Sequence, residues 1–360
     1  PHNLAHYPLM ERRGIPNVAP LTAARAILPE PPGMNFASFS SYYDQIVAGI
    51  RYLHDETGAT NVCSMYLPTD FGEEIAIASR EAAAEMGLNF VDETTHRPDE
   101  QDFVGAVSRL RDAGCQIITQ AVGVRAGITI VGTAKRLGWE DAIFLTSSAG
   151  FLEPVAQVPG GVTDGLYASS GWQDLYARAS DEAPAAFIAA YQARYDQPAS
   201  GFAMLGYTAA QQIVRALEAA GPDLTTEGFI AAMEALDYDD PLLGAHINFG
   251  TDHQGANDIF ISQVGGGQWN TLVSIDGDTG EAMAVGDGEI AVQLAAFEEM
   301  IGEVHPFDRR ALFKALAVDG LAVHGFPIHG FGGGNVGLRN THGPSLLLAD
   351  SSGESGIEHT

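Results

Sequence analysis

Between positions 36 and 264 two hydrophobic periods alternate along the chain. A short β-branched or aromatic run, such as Asn61-Val-Cys-Ser-Met-Tyr-Leu67, gives way to a stretch at 72–86 with apolar residues at helical spacing, and the pair predicts a βα unit. The beat repeats as Asn89-Phe-Val91 with a helix over 102–113, then as Cys115-Gln-Ile-Ile-Thr119 with a helix over 126–137, then as the strand Ala142-Ile-Phe-Leu-Thr146. Strands in succession with their crossovers predict a parallel, doubly wound α/β sheet. Gly87, Gly114 and Gly138 stand where a left-handed residue closes the last turn of each helix. Upstream, Ile15-Pro-Asn-Val-Ala-Pro-Leu-Thr-Ala-Ala24 reads as another strand followed by a hydroxyl-bearing turn.

After Gly165-Leu-Tyr-Ala-Ser-Ser-Gly-Trp172 the pattern changes. Three helical patterns, at 184–195, 202–220 and 225–236, follow without strands between them, the last opened by the cap signal Thr225-Thr-Glu227. Strand-like runs at His246-Ile-Asn-Phe249, Asp258-Ile-Phe-Ile-Ser262 and Asn270-Thr-Leu-Val-Ser-Ile275 close the ordered part. Beyond Gly277, the stretches 289–303 and 306–318 carry helical spacing. Residues 323–360 are rich in Gly, His and Ser without a period and read as a disordered extension or an out-of-frame sequence.

Composition narrows the function class. A chain of 360 residues with 46% hydrophobic content and no 20-residue apolar run describes one large or two medium globular domains in water. Its 46 acidic and 18 basic residues leave a net charge of −28, which repels nucleic acid and anionic lipid, so no nucleic-acid partner is expected. Two cysteines, Cys63 and Cys115, make neither a disulfide framework nor a cysteine-rich zinc site. Each sits in an apolar, strand-like run and reads as a buried free thiol. The chain opens Pro-His-Asn, without Met and without a basic and apolar leader, so any secretory signal is expected to have been removed or left out.

Open α/β sheets bind ligands at the carboxyl ends of their strands, which here means Pro68-Thr-Asp-Phe-Gly72, the turn 120–125 and Thr146-Ser-Ser-Ala149. A reactive constellation is harder to find. Walker A, G-x-S-x-G and H-E-x-x-H patterns are all missing, and no catalytic residue, metal or cofactor is predicted. Gly332-Gly-Gly-Asn-Val-Gly337 spells G-x-G-x-x-G but follows no hydrophobic strand and opens no helix, so it reads as a flexible glycine stretch. It is the sole basis for a nucleotide-dependent α/β enzyme as a weaker alternative. His305, His324, His329, His342 and His359 show no ligand spacing with Cys or carboxylate partners. Asp70, Asp99, Glu100 and Asp102 lie near helix starts, where an acid serves the cap and the macrodipole. His54 and His96 sit in no recognisable pairing. Trp172, Phe202 and Tyr207 read as core more often than as site, whereas Phe71, in a loop after a strand, points to a ligand.

The ordered motifs Gly14-Ile-Pro-Asn-Val-Ala-Pro20, Asn35-Phe-Ala-Ser38, Ile50-Arg-Tyr-Leu53, Val62-Cys-Ser-Met-Tyr66 and Thr69-Asp-Phe-Gly72 resemble the periplasmic solute-binding proteins of branched-chain amino acid type. These are the type I binding proteins of ABC importers. The similarity continues through Asp102-Phe-Val104, Lys135-Arg-Leu-Gly138, Gly165-Leu-Tyr167, Tyr191-Gln-Ala-Arg-Tyr195 and Tyr207-Thr-Ala-Ala210, and spans about 1–265. It implies an α/β fold of two Rossmann-like lobes with parallel sheets joined by three crossover strands, the first lobe incomplete. Residues 1–36 and 174–250 would be the remainder of the N-terminal lobe. Residues 37–173 and 251–275 would form the C-terminal lobe, and 276–360 a helical extension and tail.

The resemblance also implies a periplasmic, monomeric protein without enzymatic activity, capturing a small amino acid, amide or carboxylate for the permease subunits of an ABC transporter. A ligand-sensing receptor domain of the same fold is the alternative. The ligand residues implied are Thr22 and Ala23 in the first lobe, Phe71, Gln120, Val122, Ser147 and Ser148 in the second, and Phe202 at the head of a helix. Two departures from the family pattern matter. The family begins with further βα units that nothing before Pro1 supplies, so a truncated chain is expected, with an exposed edge, an incomplete core, weak binding and poor solubility. In addition, the turn 146–150 has no acid before Glu153, where amino-acid binders hold the ligand amine, so a carboxylate, amide or aromatic acid stands beside the zwitterion.

Overall fold

Strand residues alternate between two apolar faces, and that alternation determines how the layers stack. A computed structural model describes residues 2–277 and 279–285. In chain order the elements are α1 (His2–Arg12), β1 (Asn17–Val18), a 3-10 turn Arg25–Ile27, β2 (Asn35–Phe36), α2 (Tyr42–Thr57), β3 (Asn61–Tyr66), α3 (Asp70–Glu85), β4 (Asn89–Thr95) and α4 (Val104–Asp112). Then come β5 (Ile117–Ala121), α5 (Val124–Arg136), β6 (Ile143–Ser147), a 3-10 turn Ser148–Gly150, α6 (Glu153–Ala156) and β7 (Tyr167–Ser170). The remainder is α7 (Glu182–Tyr195), α8 (Gly201–Ala220), α9 (Thr226–Glu234), β8 (Asp237–Asp240), β9 (Ala245–Asn248), β10 (Ile259–Gly265), β11 (Gln268–Ile275) and β12 (Ala282–Ala284). The helical patterns at 289–303 and 306–318, the glycine stretch 332–337 and the tail histidines lie outside the described residues.

An eight-stranded sheet runs β12-β11-β10-β7-β6-β5-β3-β4. From β4 to β7 its strands are parallel, as the βα beat predicts; β10, β11 and β12 add antiparallel strands at the other side. On β3, Val62 and Tyr66 face Ile46, Ile50 and Leu53 of α2 and Ile75, Ala78 and Ala82 of α3. The intervening Cys63 and Met65 face the opposite layer, with Val107 and Leu110 of α4 and Ile130 and Ala134 of α5. The glycines read as helix stops behave so: Gly87, Gly114 and Gly138 have φ of 68°, 81° and 69°.

The cysteines depart from the sequence expectation. Cys63 and Cys115 form a disulfide, with their Cα atoms 5.8 Å apart and a sequence separation of 52. The physical reason is strand order: β4 is displaced to the edge, so β3 pairs directly with β5 and brings the two apolar runs side by side. Each run taken alone reads as a strand with a buried thiol; only their pairing makes a bond.

Elsewhere β1 and β2 form a two-stranded parallel sheet, and β8 and β9 an antiparallel pair. Among the described residues β2 is the one strand neighbour of β1. A cavity of about 540 Å³ beside it is lined by Met10, Val18, Ile213, Leu224 and Phe229. Three chain passages, at 36–41, 170–174 and 249–256, run together where the chain leaves or enters the large sheet. Ala37 donates its N–H to His253 O at 3.0 Å and accepts from Gly255 N at 2.7 Å. The His253 ring stacks on Phe36 with centroids 4.0 Å apart, and Phe39 meets Trp172 at 4.7 Å.

Removing the disulfide tests how much the large sheet depends on it. A cross-link closing a loop of this length contributes roughly 2–4 kcal/mol, on the view that it restricts the unfolded chain. The double variant Cys63→Ala, Cys115→Ala is therefore expected to lose about that much unfolding free energy and to unfold at a lower urea midpoint, and added reductant to lower the wild-type midpoint alone. Equal midpoints for wild type with and without reductant would count against a structural role.

Candidate functional site

The carboxyl ends of β3, β5 and β6 lie along one edge of the parallel sheet, and five of the sequence-derived ligand residues, Phe71, Gln120, Val122, Ser147 and Ser148, stand at or next to those ends. Phe71 follows β3 in the first turn of α3, which is capped by Thr69 Oγ1 accepting from Gly72 N at 3.4 Å. Gly72 admits no side chain, because a Cβ there would lie 1.9 Å from Leu67 O, so the tight βα turn depends on a glycine directly after Phe71. Gln120 and Val122 end β5 before α5, whose N-cap Gly123 supplies no side-chain acceptor. Ser147 and Ser148 end β6, both buried, with Ser147 Oγ accepting from Ala149 N at 3.3 Å.

These residues fall into groups. Thr22, Ala23 and Phe71 meet around Tyr42: the Tyr42 N–H donates to Ala23 O at 2.8 Å, and its ring packs edge-on against Phe71 at 5.1 Å. Burial pushes the Tyr42 phenol up from its ordinary value, while hydrogen bonds with the Ala23 backbone and the Thr22 side chain pull it down. Ser148 meets α2 one turn further along. The fully buried Gln45 accepts from Ser148 N at 2.9 Å through Oε1 and donates to Ser40 O at 2.7 Å through Nε2, while its backbone carbonyl accepts from Ser169 Oγ. Gln120 and Val122 line a cavity of about 10 Å³ with Thr146 and Gly150, roughly the size of one water. Gln120 Nε2 is buried there without a hydrogen-bond partner. Phe202 is 51% exposed at the start of α8, next to Gly201, whose N–H donates to Glu153 Oε1.

Several other sequence readings can now be placed. Asp102 caps α4 through Val104 N at 3.0 Å. Trp172 is buried against Phe39 and Phe151, whereas Tyr207, read as core, is 49% exposed and touches Phe187. His96 corrects the sequence expectation of no pairing. Its Nε2 lies 2.8 Å from Thr94 Oγ1 and its Nδ1 3.2 Å from Glu100 Oε1, because the bend after β4 folds position 100 back onto 96. His54 Nδ1 lies 2.9 Å from Ala59 O at the end of α2. Among the described residues no three His, Cys, Asp or Glu side chains are placed to hold a metal.

Sequence reasoning passed over Tyr42, Gln45 and Glu74, although a signal was present. Gln45 stands in the apolar stripe with Ile46, Gly49, Ile50 and Leu53, and Glu74 stands in that of α3 with Ile75, Ala78 and Ala82. A polar side chain at a core position has to find partners on neighbouring elements. Replacing Gln45 by Leu keeps the volume and strands the Ser148 N–H and the Ser40 carbonyl, each costing about 1–3 kcal/mol. Urea unfolding of Gln45→Leu is expected to show a loss in that range or above. A loss under about 0.5 kcal/mol, the size of an ordinary surface change, would mean that the serine turn is held by other contacts.

A periplasmic binding protein family matches residues 4–268. The Leu/Ile/Val-binding protein homolog 8 of Brucella abortus (strain 2308) is 24% identical over 195 residues, which are 53% of this chain and 48% of that protein. The chain thus spans about half the length of the curated relatives it matches. The fold is similar to a branched chain amino acid ABC transporter protein of Thermus thermophilus with bound valine (TM-score 0.66, 21% identity, covering 80% of this chain and 77% of that one). It is also similar to a solute binding protein of R. palustris in complex with benzoate (TM-score 0.65, 17% identity, 78% and 76% covered). A third is a fatty acid ABC transporter substrate-binding protein from Thermomonospora curvata (TM-score 0.64, 22% identity, 78% and 70% covered). The match over 4–268 and the sheet order together lead to one conclusion: the chain belongs to the periplasmic binding protein family, with the type I fold.

Proposed function

We propose that this chain is the substrate-binding component of an ABC importer and that it captures a small carboxylate- or amide-bearing molecule, without turnover, between two lobes. In this reading 1–36 and 174–250 belong to one lobe and 37–173 and 251–275 to the other. Thr22 and Ala23 contact the ligand from the first lobe, Phe71, Gln120, Val122, Ser147 and Ser148 from the second, and Phe202 from the head of α8. The observation that carries the reading is the meeting of the Ala23 carbonyl and the Phe71 ring on Tyr42, which brings a loop beside β1 to the strand ends of the large sheet.

The preference for a carboxylate or amide rests on charge. The turn 146–150 has no acidic residue, and the first acid beyond it, Glu153, already accepts from Gly201 N. An α-ammonium group would find no free anion at that turn. In contrast, α5 begins at the end of β5 with neither an acid in its first turn nor a side-chain cap, which favours a negative group, whereas the first turn of α3 already carries Asp70 and Glu73. The net charge of −28 does not oppose this strongly, because exposed charges further away than about 8–10 Å are screened at physiological salt. The disulfide supports a location outside the cytoplasm, since oxidising compartments are where such bonds persist. Delivery to permease subunits is the role that follows for a monomer of this family.

A thermal-shift screen against leucine, urea, short amides, benzoate and 4-hydroxybenzoate tests the proposal. At a hundredfold excess over Kd, a ligand is expected to add about 2.7 kcal/mol, with the compound recovered unchanged. Phe71→Ala is expected to weaken binding at least tenfold, in line with the loss of a packed aromatic contact. Chemical conversion of a stabilising compound, or a folded protein that none of these compounds stabilises, would sink the proposal.

A further inference from the structure

Glu74 lies on the apolar face of α3, 9% exposed, and has no ligand contact in the reading above. Its carboxylate instead joins three elements. Both oxygens are 3.1 Å from the Arg25 N–H, and Oε1 is also 3.3 Å from the Tyr43 N–H. Arg25 opens the 3-10 turn whose N-cap residue Ala24 offers no side-chain acceptor, and Tyr43 stands in the first turn of α2. First-turn N–H groups have no acceptor within their own helix, so one carboxylate of α3 caps two other elements. A negative group is also favoured there by the dipole of α2. Burial pushes the Glu74 carboxyl up from its ordinary value; the Arg25 N–H and guanidinium and the Tyr43 N–H pull it back, and Asp44 adds to the rise. A second tie runs parallel to the first. The Arg25 guanidinium lies 3.5 Å from the centre of the Tyr43 ring, whose hydroxyl donates to Glu81 Oε2 on the same α3 at 2.6 Å.

The loop held in this way carries Thr22 and Ala23, and the helix that holds it carries Phe71 one turn before Glu74. We propose that Glu74 is a positioning residue for ligand capture: by capping Arg25 and Tyr43 it sets the Thr22–Ala23 loop against Phe71 without touching the ligand. The role rests on the ligand-binding reading above. A carboxylate suits the task because two oxygens on one planar group can accept from N–H donors of two elements at once. Glutamate also reaches across from a buried helical position where a serine or aspartate is too short.

Hydrogen exchange in the full chain tests this independently of any ligand. In Glu74→Ala the peptides covering 22–28 and 42–44 are expected to exchange at least tenfold faster, consistent with loss of a charged acceptor, while peptides of β5 and β6 keep their rates. Glu74→Gln retains one acceptor oxygen and is expected to recover part of the protection. Benzoate and leucine, the two probes titrated, are expected to bind Glu74→Ala about tenfold more weakly and Glu74→Gln less so. Unchanged exchange at 22–28 in Glu74→Ala overturns the proposal, and so does faster exchange with unchanged affinity. If Glu74→Ala does not fold, Glu74→Gln is judged by the same exchange and affinity criteria. A wild type that binds neither probe speaks against the ligand reading, and the exchange rates still decide whether Glu74 holds the loop.

Discussion

The N–H groups at the start of α2, which have no acceptor within the helix, are the constraint on which the candidate site depends. A helix cannot satisfy its own first N–H donors, and here each is taken by a different part of the molecule. Tyr42 N–H goes to the Ala23 carbonyl, Tyr43 N–H to the Glu74 carboxylate, and Asp44 N–H to the Ser41 cap. One turn of helix therefore gathers the loop beside β1, the first turns of α3 and, through Gln45, the serine turn after β6. Their relative placement follows from the need to leave no buried donor unpaired, which would cost about as much as a lost hydrogen bond.

The parallel sheet supplies the rest of the frame. Because every strand from β4 to β7 points the same way, each βα turn opens on the same edge, and so do the first turns of α3 and α5. The character of that edge varies from turn to turn. The turn after β3 carries Asp70 and Glu73 around Phe71, whereas the turns after β5 and β6 present hydroxyls, an amide and backbone N–H groups without an acid. The disulfide fastens β3 to the start of β5 beneath two of these turns, so strand order and the spacing of Phe71 from Gln120 are stabilised together.

Much of this fold was legible in the sequence, and the failures share one cause. Period-2 and period-3.6 patterns are local, so β3, β5 and β6 and their helices could be read to within a few residues, and glycines at 87, 114 and 138 closed those helices as expected. β8 was missed because Asp237-Tyr-Asp-Asp240 carries no apolar run; its pairing with β9, not its composition, makes it a strand. The pairing of Cys63 with Cys115 and of His96 with Glu100 was invisible for the same reason: each partner looks ordinary until the chain folds back. Within the candidate site, the turns after the strands were legible from the α/β pattern. The residues that hold them, Tyr42, Gln45 and Glu74, were not, because a polar residue in an apolar stripe signals that a partner exists but does not say which.

Alone, the sequence determined most of the elements of the large sheet and their alternation, because helix and strand periods and glycine stops act over a few neighbouring residues. Tertiary structure decided strand order, the disulfide and which loop faces which helix. Those depend on contacts between residues far apart in the chain, such as Arg25 with Glu74 and Gln45 with Ser148, and no local pattern encodes them.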